Sequence, residues 1–203
     1  MASSQVKKNY TWNRKVEAVA IGSSLGGPQA LKTILSALPS EFPAPIFIVQ
    51  HISTGFVEGL IDWLSKYCKL KISLAKANEL ALPGNIYIAP DSFHMQIKKG
   101  NIIHLSDAKP NEGLRPSISY LFCSMAETYG PDCVGIILTG MGKDGVDGLL
   151  SMKQKGAMTI AQSQEDCLMF GMPKEAIAAG AVKQIIHINH IADALLEIIS
   201  RHL

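Results

Sequence analysis

Val16-Glu17-Ala18-Val19-Ala20-Ile21, running directly into Gly22-Ser23-Ser24-Leu25-Gly26-Gly27-Pro28, is the stretch that decides the fold. A short apolar run ending in glycine reads as a strand buried on both faces of a parallel sheet. Helical periodicity begins at once beyond it. Leu31, Ile34, Leu35 and Leu38 fall at i, i+3, i+4 and i+7, Pro28 suits the first turn, and Pro39 closes the segment. A second apolar run, Pro45-Ile46-Phe47-Ile48-Val49-Gln50, ends at His51. The opening is therefore β-α-β, with the right-handed crossover such units adopt.

Outward from this unit the pattern repeats. A helix is expected over 56–67, a strand over 70–75, and a strand over 85–89 after the Pro83-Gly84 turn. Residues 94–97 and 102–105 flank Lys98-Lys99-Gly100-Asn101, a hairpin signal that makes part of the sheet antiparallel. A polar loop over 107–114 precedes a helix over 117–129, with Ile118, Leu121, Phe122 and Met125 on one face. Cys133-Val134-Gly135-Ile136-Ile137-Leu138 is another near-continuous apolar strand, and it runs into Thr139-Gly140-Met141-Gly142-Lys143-Asp144-Gly145. A helix to Lys155, a strand at 158–161, a helix at 173–179, a strand at 182–186 and a final amphipathic helix over 191–203 complete the chain. The expected class is α/β: a doubly wound, mostly parallel sheet with helices on both faces and an antiparallel hairpin. Residues 1–15 read as a tail or linker stub and 16–203 as one domain.

Composition narrows the function. The 203 residues are 47% hydrophobic but only 6% aromatic, which suits aliphatic strands and helices around one core. A formal net charge of +2, with the lysines scattered, lacks the basic stripe of a nucleic-acid binder, so no nucleic-acid partner is expected. Cys68, Cys123, Cys133 and Cys167 show no C-x-x-C spacing and read as free thiols. No apolar segment resembles a secretory leader or reaches bilayer-spanning length, so a cytoplasmic protein without direct membrane insertion is the expectation.

The chemistry starts at Gly22-x-Ser24-x-Gly26, which has the spacing of a nucleophile elbow. A sharp strand-to-helix turn needs small residues around the serine, lifts its hydroxyl above the sheet, and sets its neighbour's N–H at a helix N-terminus where negative charge is favoured. Alone, this spacing also fits a tightly packed β-α turn or an anion or nucleotide site. It is neither a Walker loop, since no Gly-Lys-Ser/Thr follows, nor a good dinucleotide fingerprint, since Ser24 stands where the second glycine belongs. A serine nucleophile needs a base, and His51 follows the second strand; in a doubly wound sheet neighbouring strand ends share one edge. The base needs an orienting carboxylate, and Asp144 follows the strand at Cys133 on that same edge. Asp144 also reads as an N-cap for the following helix, and Asp147 competes from the first helical turn. Three coinciding strand ends outweigh any one motif. The order Ser, His, Asp differs from that of α/β-hydrolases and of chymotrypsin-like proteases.

These stretches resemble the catalytic domain of the chemotaxis protein-glutamate methylesterases, the CheB family. The resemblance rests on Ile21-Gly22-Ser23-Ser24-Leu25-Gly26-Gly27, Ile48-Val49-Gln50-His51, Leu82-Pro83-Gly84-Asn85-Ile86-Tyr87-Ile88-Ala89-Pro90 and Ile137-Leu138-Thr139-Gly140-Met141-Gly142-Lys143-Asp144-Gly145. Arg115-Pro116-Ser117, Thr159-Ile160-Ala161-Gln162 and Phe170-Gly171-Met172-Pro173 fit as well. The resemblance implies a triad of Ser24, His51 and Asp144 that hydrolyses γ-glutamyl methyl esters on the cytoplasmic region of methylated chemoreceptors, together with deamidation of receptor glutamines. It implies Met141 as an oxyanion donor, while Leu25, Arg115, Phe170 and Met172 are expected at the oxyanion and substrate rim.

Leu25 and Lys143 depart from the threonine and asparagine frequent in that family, so an oxyanion donor at Leu25 must be backbone. The family usually carries an N-terminal receiver domain and a linker. Fifteen residues stand ahead of the first strand here, as expected of an excised catalytic domain or of a form without that regulator. No organic cofactor is expected and no metal site, because the histidines offer no i, i+4 pair on an expected helix. The rival readings are a non-catalytic receptor-docking or nucleotide-binding α/β module, and a related serine esterase acting on another methylated protein.

Overall fold

The computed structural model describes residues 14–200; the end of the expected final helix and most of the expected tail lie outside the described residues. Seven strands form one parallel sheet. They are β1 (Ala18–Ser23), β2 (Ile46–Gln50), β3 (Lys71–Leu74), β4 (Asn85–Ile88), β7 (Cys133–Ile137), β8 (Met158–Gln162) and β9 (Gln184–Ile186), in the order β3-β4-β2-β1-β7-β8-β9. Period-two alternation sends successive side chains of a strand to opposite faces. Val19, Ile21, Ile46, Ile48, Val134 and Ile136 face one core, which α1 (Gly27–Ser36), α2 (Val57–Ser65) and α6 (Ile188–Ser200) cover. Ala18, Ala20, Phe47, Val49, Cys133 and Ile137 face the other, beneath α3 (Ile118–Tyr129), α4 (Val146–Gln154) and α5 (Met172–Ala178). The sheet is thus doubly wound, as its apolar runs require. Among the described residues no helix is long and apolar enough to cross a membrane.

The expected hairpin forms, as β5 (His94–Lys98) and β6 (Ile102–Ser106), but it joins no strand of the main sheet. It packs on α3 instead, where the Ser124 hydroxyl accepts from Ile97 N at 2.9 Å and Thr128 Oγ1 donates to Ile97 O at 2.8 Å. Side chains of a helix thereby satisfy the N–H and C=O of Ile97 on the β5 edge, where another strand would otherwise pair, while β6 is bridged by the segment at Leu80.

The chain winds from β1 to β2 over one face and from β7 to β8 over the other. The order reverses between β1 and β7. A crevice opens at such a switch point beyond the carboxyl ends of the strands. β1, β2 and β7 lie side by side there, and the segments leaving them carry Ser24, His51 and Asp144.

Candidate active site

β1 runs two residues further than its apolar stretch and ends at Ser23, so Ser24 is the first residue off the strand. Ser24 N donates to Thr139 O at 3.0 Å and Gly27 N to Ser24 O at 2.8 Å, which closes the elbow. Gly26 sits at φ +82, a left-handed conformation that side chains resist, and a Cβ there would also press on Leu168. Gln50 ties the elbow to the next strand. Its Oε1 accepts from the buried Ser23 hydroxyl at 2.6 Å, and its Nε2 donates to Ser24 O and to His51 O, each at 2.8 Å. His51 N donates to Ser23 O at 2.9 Å. One buried amide side chain therefore grips the backbone of both Ser24 and His51.

His51 Nε2 lies 2.9 Å from Asp144 Oδ2, with side-chain exposures of 12% and 2%. That contact makes Nε2 the protonated nitrogen and leaves Nδ1 to accept a proton. The rest of the Asp144 carboxylate is filled from α3. Ser117 Oγ donates to Oδ1 at 2.7 Å, Ile118 N to Oδ2 at 2.7 Å and Ser119 N to Oδ1 at 3.2 Å. Burial on its own pushes this carboxyl up, but the bonds from His51, Ser117 and Ile118 outweigh it and hold the group down at about 2. Asp144 does cap a helix, but not the one that follows it in sequence. It caps α3, whereas α4 starts from Gly145 at φ +94 with no side-chain cap. Asp147 is exposed in the first turn of α4.

The loops after β7 and β8 are fastened together beside Ser24. Gly140 N donates to Met169 O at 3.0 Å, Met169 N to Thr139 Oγ1 at 2.9 Å, and Thr139 Oγ1 to Leu25 O at 2.9 Å. A cavity of about 310 Å³ adjoins Asp144, lined also by Asn111, Glu112, Ser119, Lys143 and Glu175, but neither Ser24 nor His51 lines it. Among the described residues no group of three His, Cys, Asp or Glu is arranged to hold a metal ion.

This constellation has counterparts among known proteins. The family model described as CheB methylesterase matches residues 19–195. The chain belongs to the CheB methylesterase family. It is 47% identical over 182 residues to a protein-glutamate methylesterase/protein-glutamine glutaminase of Nitrosospira multiformis, covering 90% of this chain and 51% of that protein. It is 42% identical over 179 residues to the protein-glutamate methylesterase FrzG of Myxococcus xanthus, covering 88% and 54%. The solved CheB methylesterase catalytic domain of Thermotoga maritima superposes with a TM-score of 0.88 at 37% identity, covering 91% of this chain and 99% of that one. The chain spans about half the length of the curated relatives it matches.

Within this CheB fold the expected site residues do not all gather. His51 and Asp144 are in contact, Ser24 leaves the neighbouring strand end with its carbonyl tied through Gln50 to that of His51, and Leu25 and Met141 stand exposed on the loops after β1 and β7. Arg115 donates to the carbonyls of Asp107 at 2.8 Å and Ala108 at 3.1 Å, so its guanidinium braces the polar loop. Phe170 is half-buried, bridged to Gly140. Met172 does not reach the rim: it opens α5 with its side chain fully buried beneath Gly140, because the first turn of that helix faces the core. Gln50 and Ser117 lie in stretches that carry the family resemblance, but nothing in the sequence gives either a role of its own. Leu168 and Met169 carried no signal, since two apolar residues in a loop have no period to obey.

Proposed function

We propose that this chain is a cytoplasmic serine hydrolase that cleaves γ-glutamyl methyl esters on the cytoplasmic region of chemoreceptors, releasing methanol, and that it deamidates receptor glutamines by the same route. The observation that carries the reading is the 2.9 Å contact of His51 Nε2 with the buried Asp144 carboxylate, beside a serine that Gln50 ties to the same histidine. The names of the relatives, protein-glutamate methylesterase and protein-glutamine glutaminase, support the glutamyl ester and glutamine chemistry.

In this mechanism Ser24 Oγ attacks the ester carbonyl carbon while His51 Nδ1 takes its proton. Asp144 fixes the imidazole tautomer and stabilises the imidazolium. The oxyanion collects on backbone N–H groups, Leu25 N in the elbow ahead of α1 and Met141 N on the loop after β7. His51 then gives its proton to the departing methoxide. A water attacks the acyl-serine with His51 again as base, and glutamate and free Ser24 result. For a glutamine, ammonia leaves in place of methanol.

A fluorophosphonate probe followed by mass spectrometry tests the nucleophile. One adduct at Ser24 is expected in the wild-type protein, with none in Ser24→Ala and much slower labelling in His51→Gln. An adduct on another serine overturns the assignment.

A further inference from the structure

Four large apolar side chains stand in solvent around Ser24: Leu25 is 52% exposed, Met141 74%, Leu168 72% and Met169 37%. They come from three separate loops, yet the loops are bolted to one another. Thr139 Oγ1 donates to Leu25 O and accepts from Met169 N, both at 2.9 Å, and Gly140 N donates to Met169 O. Leu168 packs over Gly26, where any Cβ would collide with it. The far end of its loop is anchored too. Asp166 Oδ2 accepts from Ile188 N at 2.6 Å and lies 3.1 Å from His187 Nδ1, and Gln162 Nε2 donates to Asp166 O at 3.0 Å. These side chains are therefore held in water by a fixed scaffold. The cations on neighbouring loops are engaged elsewhere: Lys143 pairs with Glu112 at 2.9 Å, and Arg115 holds backbone carbonyls.

We propose that Leu25, Met141, Leu168 and Met169 form an apolar collar that selects methyl esters by the apolar side chains flanking the esterified glutamate, with Leu168 as the principal contact. Contiguous exposed apolar surface marks an interaction site. Any ester that reaches Ser24 must lay its neighbouring residues across this collar, so the occupant is the substrate itself. Recognition is by burial rather than charge, and it is insensitive to ionic strength. The proposal rests on the esterase reading above.

The test uses two methyl-esterified receptor fragments, one with leucine and one with serine on the collar-facing side of the ester. Methanol release is measured with the wild-type protein, Leu168→Ser and, as a distant control, Ile185→Ser on the edge strand β9. For the wild-type protein the leucine fragment should have a KM about 10-fold lower at similar kcat, the signature of binding carried equally by ground and transition states. Leu168→Ser should erase that difference at an unchanged unfolding temperature, and Ile185→Ser should preserve it. Equal KM values for the two fragments, with methanol released from both, overturn the collar and leave the esterase reading standing. Methanol released from neither overturns both. A KM unaffected by Leu168→Ser, with self-association lost, assigns the collar to a second copy of the chain and overturns the proposal.

Discussion

Asp144 is a carboxylate whose surroundings favour its anionic form. Its folded pKa of about 2 lies below the ordinary 3.8, so the stability it contributes is present above about pH 4 and is lost as pH falls toward 2. The shift corresponds to about 2 kcal/mol. Ser117→Ala removes one donor from this carboxylate, a bond to a charged group in the range of about 1.5–3 kcal/mol. The acid-unfolding midpoint should move to higher pH, and kcat should fall several-fold as the imidazole loses its fixed partner. Circular dichroism across an acid titration checks the first, and an unmoved midpoint would detach Ser117 from Asp144. Ser23→Ala should cost about 1 kcal/mol, because it orphans Gln50 Oε1, yet leave most of the activity in place. Thermal melts and initial rates separate the two effects; a dead Ser23→Ala would shift the nucleophile by one residue. At this scale the positions of Ser24, His51 and Asp144 beyond neighbouring strand ends were legible because each follows a strand whose end could be read. Gln50 and Ser117 were not, because a hydrogen bond between elements leaves no periodicity in the chain.

Elements also serve each other across the fold. The N-terminus of α3 supplies Ser117, Ile118 and Ser119 to a carboxylate from the loop before α4, so these two helices must stay in register. Gly148 permits that contact: a Cβ there would stand 2.6 Å from Phe122 Cβ and 2.8 Å from Ser119 O. Gly148→Ala should therefore spread α3 from α4, destabilise the protein by about 1–3 kcal/mol and lower kcat through Ser119 and Asp144. Denaturant unfolding and a rate measurement check this, and an unaffected kcat would show that the α3 terminus tolerates displacement. The strands and helices were read closely from apolar runs and their spacing. The hairpin was legible as a hairpin, but its pairing was not, since nothing local marks Ser124 and Thr128 as the groups that occupy its edge. The burial of Met172 escaped for a related reason: the direction of a first helical turn depends on what it packs against.

At the scale of the whole molecule, the arrangement follows from where the winding reverses. β1, β2 and β7 stand together at the switch point, which brings residues separated by up to 120 positions to one edge without any of them being neighbours in sequence. Both faces of the sheet are covered by helices, and the loop edge lies beyond the core, so a substitution at that edge leaves the core untouched. That separation is what makes the proposed nucleophile testable by a minimal substitution. The decisive measurement is methanol release from a methylated receptor fragment by the wild-type protein and by Ser24→Ala, each with its unfolding temperature. The wild-type protein should release methanol, and Ser24→Ala should be slower by a factor on the order of 10⁴ or more with its unfolding temperature unchanged. A folded Ser24→Ala protein releasing methanol at the wild-type rate would contradict the account.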